Sequence, residues 1–256
     1  MSPESNGVTL HRRRRTLGFN DNGYRGWQVQ EEPLECRPEK IGMVLCDVWD
    51  NHWCRGANER MNELLPRMAQ TVSSARKKGI SIIHAPSDTI DYYEGTPARL
   101  RIQRIPRTTP PPEVQRDDPP LPIDSSDGGP DTKDNPGDVN QRVWTRQHPA
   151  IEIDQKRDVI SDDGEEIYSY LRHCSIESVV IVGVHTNMCI LGRPFAIKQM
   201  VRWGQDIMLC RDLTDSMYNP AMPPYVPHTE GTRLVVEYIE KFWCPSIESE
   251  DLVREA

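Results

Sequence analysis

The sequence predicts an α/β protein, a three-layer α/β/α sandwich with a mostly parallel central sheet. Two continuous apolar runs, at residues 41–46 and 179–184, are typical of strands buried on both faces, as strands are inside a parallel sheet. Segments with helical spacing of apolar residues follow both runs, and strands that alternate with helices indicate parallel βα units. A chain of 256 residues with 36% hydrophobic residues suffices for one such core with loop-rich additions.

The first part of the chain contains two predicted strands and the helix between them. Residues 1–38 show little periodicity and are predicted to form an N-terminal extension. After the first strand, apolar residues recur at helical spacing until Gly79 ends the helix. Pro66 lies inside this pattern, so we expect a kink or a late helix start. A second strand is predicted at 80–85.

Prolines then crowd residues 106–136, together with several Asp and Gly residues. Because proline removes a backbone donor and cannot continue a helix, this stretch is predicted to be neither helix nor inner strand. We therefore predict that residues 86–148 form a long insertion over the surface. Loops of this length are either disordered or functional, as lids or interfaces.

Alternating strands and helices resume after the insertion. The predicted elements are a strand at 150–153, a helix at 164–173, a strand at 179–184, a helix that ends near Trp203, a strand at 206–210 and a helix at 229–243.

Charge and cysteine usage exclude several classes of protein. The chain has 31 Lys and Arg against 39 Asp and Glu, and a net charge of −8 argues against a general nucleic-acid partner. No apolar run approaches the roughly 18 residues of a membrane span, so no membrane partner is expected. The run Arg12–Arg15 is interpreted as a solvated basic arm rather than an export signal. Seven cysteines without paired spacing favour free thiols in a reducing cytoplasm over disulfides or a zinc site.

Two strand ends carry the candidate chemistry, because ligands bind beyond the carboxyl ends of parallel strands. Cys189 comes shortly after the strand at 179–184 and opens a helical pattern. The dipole and free N–H groups of a helix N-terminus lower a thiol pKa and can stabilise an oxyanion, which favours a nucleophile over a buried core cysteine. Asp47 ends the first strand and is followed by aromatic residues that would desolvate it, so it is a candidate base; the alternative is a helix cap or loop carboxylate.

These residues resemble a known family, the isochorismatase-like cysteine hydrolases, which include nicotinamidases, carbamoylsarcosine amidase and biuret hydrolase. The resemblance rests on the strand end Leu45-Cys46-Asp47-Val48-Trp49, on a Lys before the middle helix, and on Gly183-Val184-His185-Thr186-Asn187-Met188-Cys189. It covers about residues 40–245 outside the insertion. We expect a hydrolase domain over 39–247 and a C-terminal tail over 248–256.

The resemblance implies a catalytic triad of Asp47, Lys156 and Cys189. Asp47 would deprotonate the thiol, Lys156 would stabilise both charges, and Cys189 would attack a carbonyl carbon. It also implies a cis peptide bond before His185 and an oxyanion hole formed by the main-chain N–H groups of His185 and Cys189. The segment after Lys156 departs from the family pattern, so Lys156 could instead be solvated and Arg157 could occupy the same space.

The resemblance, together with the cysteine, predicts hydrolysis of an amide or ureide C–N bond of a small molecule through an acyl-enzyme, without cofactor or metal. Trp49, His52, Trp53 and Arg193 are candidate substrate contacts, and Arg193 could hold a substrate carboxylate. Two alternatives stay open: a non-catalytic scaffold of this fold, or a metal-dependent nicotinamidase that uses His84, Asp88 and His52. By analogy with the family, we expect a homo-oligomer.

Overall fold

The computed structural model describes residues 7–135 and 137–254. One sheet runs through the molecule. Its strands are β1 (Val8–Phe19), β2 (Arg25–Cys36), β3 (Ile41–Cys46), β4 (Ser81–Ala85), β5 (Val159–Ile160), β6 (Ser178–Val184), β7 (Asp206–Asp215) and β8 (Ser246–Ile247). The helices are α1 (Arg55–Lys78), α2 (Pro97–Gln103), α3 (Gly164–His173), α4 (Cys189–Gly192), α5 (Ile197–Arg202), α6 (His228–Phe242) and α7 (Glu250–Val253), and 3-10 turns span Pro38–Lys40 and Ile90–Tyr93.

The strand order is β2-β1-β8-β7-β6-β3-β4-β5, with β3 to β8 parallel and β1 and β2 antiparallel at one edge. Side chains of β3 alternate between the two faces. Met43 and Leu45 pack towards α1, whereas Val44 and Cys46 pack in the core that includes α3 and α6. Helices therefore cover both faces, and the predicted three-layer fold with a mostly parallel sheet is confirmed.

The buried elements begin and end close to where the sequence predicts them. β3 and α3 have the predicted bounds, β4 and β6 differ by one residue at one end, and α6 differs by one residue at each end. Helix α1 starts earlier than predicted and continues through Pro66. Its C-terminal cap is Gly79 in the left-handed conformation with φ of 97°, which a glycine adopts without steric cost.

Three other predicted elements differ from the structure. The strand predicted at 206–210 continues to Asp215 as β7. The segment 150–153 is not a strand, because Ile151 and Ile153 pack into two separate apolar clusters and the short edge strand β5 follows later. The helix predicted to end near Trp203 is divided into α4 and α5. Pro194 explains the break: a residue before proline avoids the helical region, and Arg193 is extended with ψ of 152°.

The predicted N-terminal extension is instead part of the sheet. β1 and β2 form a hairpin that joins β8, and the side chains of Val8 and Leu10 are buried. Arg13 and Arg15 are not solvated, since both pair with Glu240 of α6 at 2.8 and 3.0 Å. The polar composition of the hairpin concealed these contacts, which join residues more than 220 positions apart.

The predicted C-terminal tail contains α7, whose Leu252 is buried. Within the predicted insertion 86–148 the structure adds helix α2, which Thr96 caps and Pro97 begins, while the proline-rich part 106–135 has no helix or strand. Residues 1–6, 136 and 255–256 of the predicted extension, insertion and tail lie outside the described residues. No helix in the described ranges is long and apolar enough to cross a bilayer.

Candidate active site

Asp47 is fully buried at the carboxyl end of β3. It adopts a left-handed backbone conformation with φ of 50°, which turns its side chain into the space between β3, β4 and β6. One carboxylate oxygen, Oδ1, accepts a hydrogen bond from the backbone N–H of Ser87 at 2.8 Å, and Oδ2 accepts one from Nε of Arg193 at 2.8 Å. Both oxygens are therefore held in place by donors.

Cys189 is reached from β6 through a tightly fixed loop. Gly183 has φ of 112°, and a Cβ there would lie 2.0 Å from the carbonyl oxygen of Cys46, so only glycine allows this approach of β6 to β3. The peptide bond between Val184 and His185 is cis. The Asn187 side chain then bonds to the N–H and the carbonyl of Met217, at 2.9 Å each, which holds the loop to the chain after β7.

The thiol of Cys189 lies close enough to the carboxyl group of Asp47 for each group to shift the pKa of the other. Burial and the neighbouring carboxylate raise the pKa of the Cys189 thiol above its usual range, although Arg193 and the His185 N–H oppose this shift. The expected lowering of this pKa by a helix N-terminus is therefore wrong. Helix α4 has only four residues, and burial, the largest cause, together with the charge of Asp47 raises the thiol pKa instead.

Burial also raises the pKa of Asp47, while Arg193, Cys189 and Ser87 hold it down in part. The expected rise of the Asp47 pKa through desolvation is therefore present, and hydrogen-bond donors around the carboxyl group offset part of it. In this arrangement a carboxylate lies beside a protonated thiol. The carboxylate can act as the base and take the proton of the sulfur when the sulfur attacks a substrate.

Arg193, not Lys156, is the cation that contacts Asp47. Lys156 is exposed, and its backbone N–H donates a hydrogen bond to Oδ1 of Asp154 at 2.8 Å. The physical reason is its place in the topology: Lys156 precedes β5, which runs parallel to β4, so it lies towards the amino ends of the strands, whereas Asp47 follows a carboxyl end. The alternative Arg157 is also exposed and pairs with Asp154 at 2.7 Å.

The role expected for Arg193 changes accordingly. Its guanidinium group is bonded to Asp47 and, at 3.2 Å, to Asp88, so it neutralises protein carboxylates instead of standing free for a substrate carboxylate. Its Cζ also lies 5.8 Å from the ring centroid of Trp49. The sequence offered one signal for this role, because Arg193 is four residues after Cys189 and one helical turn brings such residues to the same face.

Aromatic rings form one wall beside the Asp47–Cys189 pair. Trp49 stacks on Trp144 at 4.1 Å with an interplanar angle of 11°, and His52 stacks on the same Trp144 ring at 5.9 Å. Trp53 lies 5.3 Å from His52. Trp144 belongs to the insertion and was not predicted, because no local pattern shows that a loop residue returns to a strand end nearly 100 positions earlier.

A ring of charged residues fixes another part of the insertion near this wall. Arg60 of α1 bonds to Asp131 of the insertion at 2.6 Å and to Asp215 at the end of β7 at 2.7 Å. His228 bonds to Asp215 at 3.0 Å, and this partner raises the pKa of His228 despite its burial. The insertion is therefore anchored to the carboxyl edge of the sheet.

The residues considered for a metal site do not fit one. Both ring nitrogens of His84 have protein partners, Gln147 at 2.7 Å and Asp158 at 3.1 Å. Asp88 is paired with Arg193, and His52 lies in the aromatic wall. Across residues 7–135 and 137–254, no group of three or more His, Cys, Asp or Glu side chains is arranged to hold a metal ion.

Comparison with solved structures supports the fold. A cysteine hydrolase from Pseudomonas syringae pv. phaseolicola 1448A gives a TM-score of 0.54 at 13% identity, with 85% of this chain and 92% of that chain covered. A protein from Burkholderia xenovorans LB400 described as a candidate isochorismatase gives 0.50 at 13% identity, with 84% and 86% covered. The resemblance noted from the motifs is thus confirmed at the level of the fold. No protein-family model and no curated protein matches the chain.

Proposed function

We propose that this chain, which has the isochorismatase-type fold, is a cysteine hydrolase that cleaves an amide or ureide C–N bond of a small molecule. The observation that carries the proposal is that the half-buried Cys189 and the fully buried carboxyl group of Asp47 lie close enough for each to shift the pKa of the other. A reactive cysteine needs access for its substrate and a base for its proton, and this pair supplies both.

The chemical steps use one proton acceptor throughout. Asp47 takes the thiol proton as Sγ of Cys189 bonds to the substrate carbonyl carbon. When the tetrahedral adduct collapses, its C–N bond breaks and the leaving nitrogen receives that proton, which leaves a thioester. Water then gives a proton to Asp47 and attacks the thioester carbon. The acid product leaves, and the sulfur recovers its proton from Asp47.

The oxyanion of each adduct is proposed to bind the main-chain N–H groups of His185 and Cys189. The His185 N–H lowers the pKa of the Cys189 thiol, which supports a position beside the reacting carbon. Within the described part of the chain, no backbone oxygen accepts a bond from either N–H. Free donors aimed at developing charge stabilise such adducts strongly.

Arg193 is proposed to take the electrostatic role that the family resemblance gave to Lys156. A guanidinium group that bonds Oδ2 of Asp47 opposes the rise in the pKa of the buried carboxyl group and the rise in the thiol pKa. Because it stays charged at every relevant pH, it cannot itself act as the proton carrier. Asp47, Arg193 and Cys189 therefore form the proposed catalytic set, with Trp49, His52 and Trp53 as proposed substrate contacts.

The remaining expectations are part of the same proposal. All seven cysteines are free thiols, which supports a reducing compartment such as the cytoplasm.

Large apolar side chains on the β1–β2 hairpin are exposed, among them Phe19 at 68% and Tyr24 at 74%, which supports self-association. Sedimentation that finds only a 29.4 kDa species would remove the oligomer from the proposal.

The test is ammonia or amine release across a panel of small amides and ureides. Cys189→Ser should lose at least about 1,000-fold in kcat/KM, because a hydroxyl beside a carboxylate is a far weaker nucleophile. Cys174→Ser is the matched control, since Cys174 is also a half-buried free thiol but ends α3. Equal activity of Cys189→Ser and wild type would overturn the hydrolase assignment and leave the non-catalytic alternative.

A further inference from the structure

A narrow cleft next to Asp47 contains the rings of His52, a proposed substrate contact, and of His185, whose side chain the proposed chemistry does not use. Its enclosed volume is only about 10 Å³, about the space of one water molecule, and it reaches about 220 Å³ when the space open to solvent is counted. Its described lining residues include no Lys and no Arg: they are Asp47, Trp49, Asn51, His52, Ala57, Asn58, Met61, Val184 and His185.

The contacts of His52 determine which of its nitrogens carries the proton. The backbone N–H of Cys54 donates to Nδ1 of His52 at 3.1 Å, so a neutral ring has its proton on Nε2. The side chain of Asn58 donates to the backbone oxygen of His52 at 2.6 Å and fixes the loop. Stacking on Trp144 fixes the plane of the ring. Nε2–H is thus a preorganised donor with no hydrogen-bond partner in the described chain.

His185 lies edge-on to His52, with ring centroids 4.9 Å apart. Burial lowers the pKa of His52 to about 4 and that of His185 to about 3, and the nearby guanidinium group of Arg60 contributes to both shifts. The two rings therefore stay uncharged at neutral pH. They offer hydrogen bonds to a ligand but no positive charge.

The charges around the pair also disfavour an anion. Arg193 is the cation in contact with Asp47, and it is shared between Asp47 and Asp88. The backbone of Asp88 in turn bonds to the carboxylate of Asp162 at 3.1 Å. The guanidinium group of Arg193 is thus already paired with two carboxylates, and that of Arg60 is paired with Asp131 and Asp215. A substrate carboxylate would meet repulsion and find no free partner.

We propose that the site selects an uncharged amide or ureide over a carboxylate-bearing one, with Nε2–H of His52 as the donor to a substrate oxygen. This inference rests on the proposed function, because it names the substrate class of the same site. It reverses the expectation from sequence that Arg193 binds a substrate carboxylate.

The test compares malonamide with malonamate, two ligands of equal size that differ in one neutral or anionic end group. Binding is measured by NMR titration of the Cys189→Ser variant, so that no turnover is required. We expect malonamide to bind at least about tenfold more tightly and to shift the His52 Nε2–H resonance. Equal binding, tighter binding of malonamate or no binding of either ligand would overturn the selection.

These outcomes are separate from those for hydrolysis. An enzyme that hydrolyses larger amides but prefers their carboxylate-bearing analogues keeps the proposed function and loses this inference. If malonamide binds selectively but the wild type hydrolyses no amide, this inference stands and the proposed function is lost.

Variants of His52 test the donor itself. His52→Gln can place an N–H in a similar position, whereas His52→Phe keeps only the flat ring. We expect His52→Phe to weaken malonamide binding about tenfold and His52→Gln to retain most of it. His173→Phe, at an exposed histidine that ends α3, is the control. Unchanged binding by His52→Phe, or a His52 resonance that titrates near pH 6.5, would contradict the proposal.

Discussion

Asp47 combines two opposing effects that set its chemistry. Burial favours the protonated acid and raises its pKa, while Arg193, Cys189 and the Ser87 N–H stabilise the carboxylate. The base form is needed to take the thiol proton, so hydrolysis should be lost as the pH falls through the raised Asp47 pKa. Removal of the Arg193 charge removes the largest stabilising influence on the carboxylate and should raise that pKa further.

Arg193→Ala is therefore expected to move the acid limb of the kcat/KM profile to higher pH and to lower its plateau about 100-fold or more. Arg193→Lys should lose less, because a cation remains. Lys156→Ala should leave both the limb and the plateau unchanged, since Lys156 is exposed. The measurement is a pH–rate profile for the three variants. A larger effect of Lys156→Ala than of Arg193→Ala would restore the lysine to the catalytic set.

The reactivity of Cys189 gives a second prediction at this scale. The carboxylate of Asp47 raises the thiol pKa, so Asp47→Asn should lower that pKa and increase the thiolate fraction. We expect iodoacetamide to label Cys189 faster in Asp47→Asn than in wild type at pH 8, even though hydrolysis is lost. Peptide-level mass spectrometry measures the rate, with Cys174 as internal reference. Slower labelling in the variant would show that the carboxylate activates the resting thiol.

At the scale of elements, the site exists because the ends of β3 and β6 approach each other closely. Gly183 permits this approach, and the loop that follows is bonded to Met217 beyond β7. The division of α4 from α5 at Pro194 has a similar effect, because the extended backbone of Arg193 directs its side chain to Asp47.

Gly183→Ala should consequently destabilise the protein by about 3 kcal/mol or more, since a Cβ would lie 2.0 Å from the Cys46 oxygen at a φ of 112°. Gly26→Ala in β2 is the matched control, because a Cβ there meets nothing within 4 Å. Urea unfolding gives the free energy of both variants. If Gly183→Ala lowers the free energy of unfolding no more than the control does, β6 can move away from β3 freely.

At the scale of the whole molecule, the N-terminal hairpin and the C-terminal helix α7 belong to the same core as strands β3 and β6. The side chains of Leu10 and Leu252 are fully buried and lie in the cluster that contains β3 and α1 residues. The insertion likewise contributes to the site, through Trp144 at the aromatic wall and Asp131 at the sheet edge.

Leu10→Ala should cost about 2–5 kcal/mol of unfolding free energy, as expected for a fully buried leucine. Leu17→Ala, in the same strand but 48% exposed, should change it by less than about 0.5 kcal/mol. Denaturant unfolding compares the two variants directly. Similar small effects would indicate that the hairpin is an independent arm and not part of the core.

The sequence by itself determined the fold class, the strands β3 and β6, and the two strand ends with Asp47 and Cys189. These features follow from apolar periodicity and from residues close together in the chain, which local patterns report directly. Tertiary structure alone decided that Arg193 contacts Asp47, that Trp144 joins the wall and that the hairpin joins the sheet. Each of these depends on contacts between segments far apart in sequence, where burial and charge pairing, and not local propensity, select the partner.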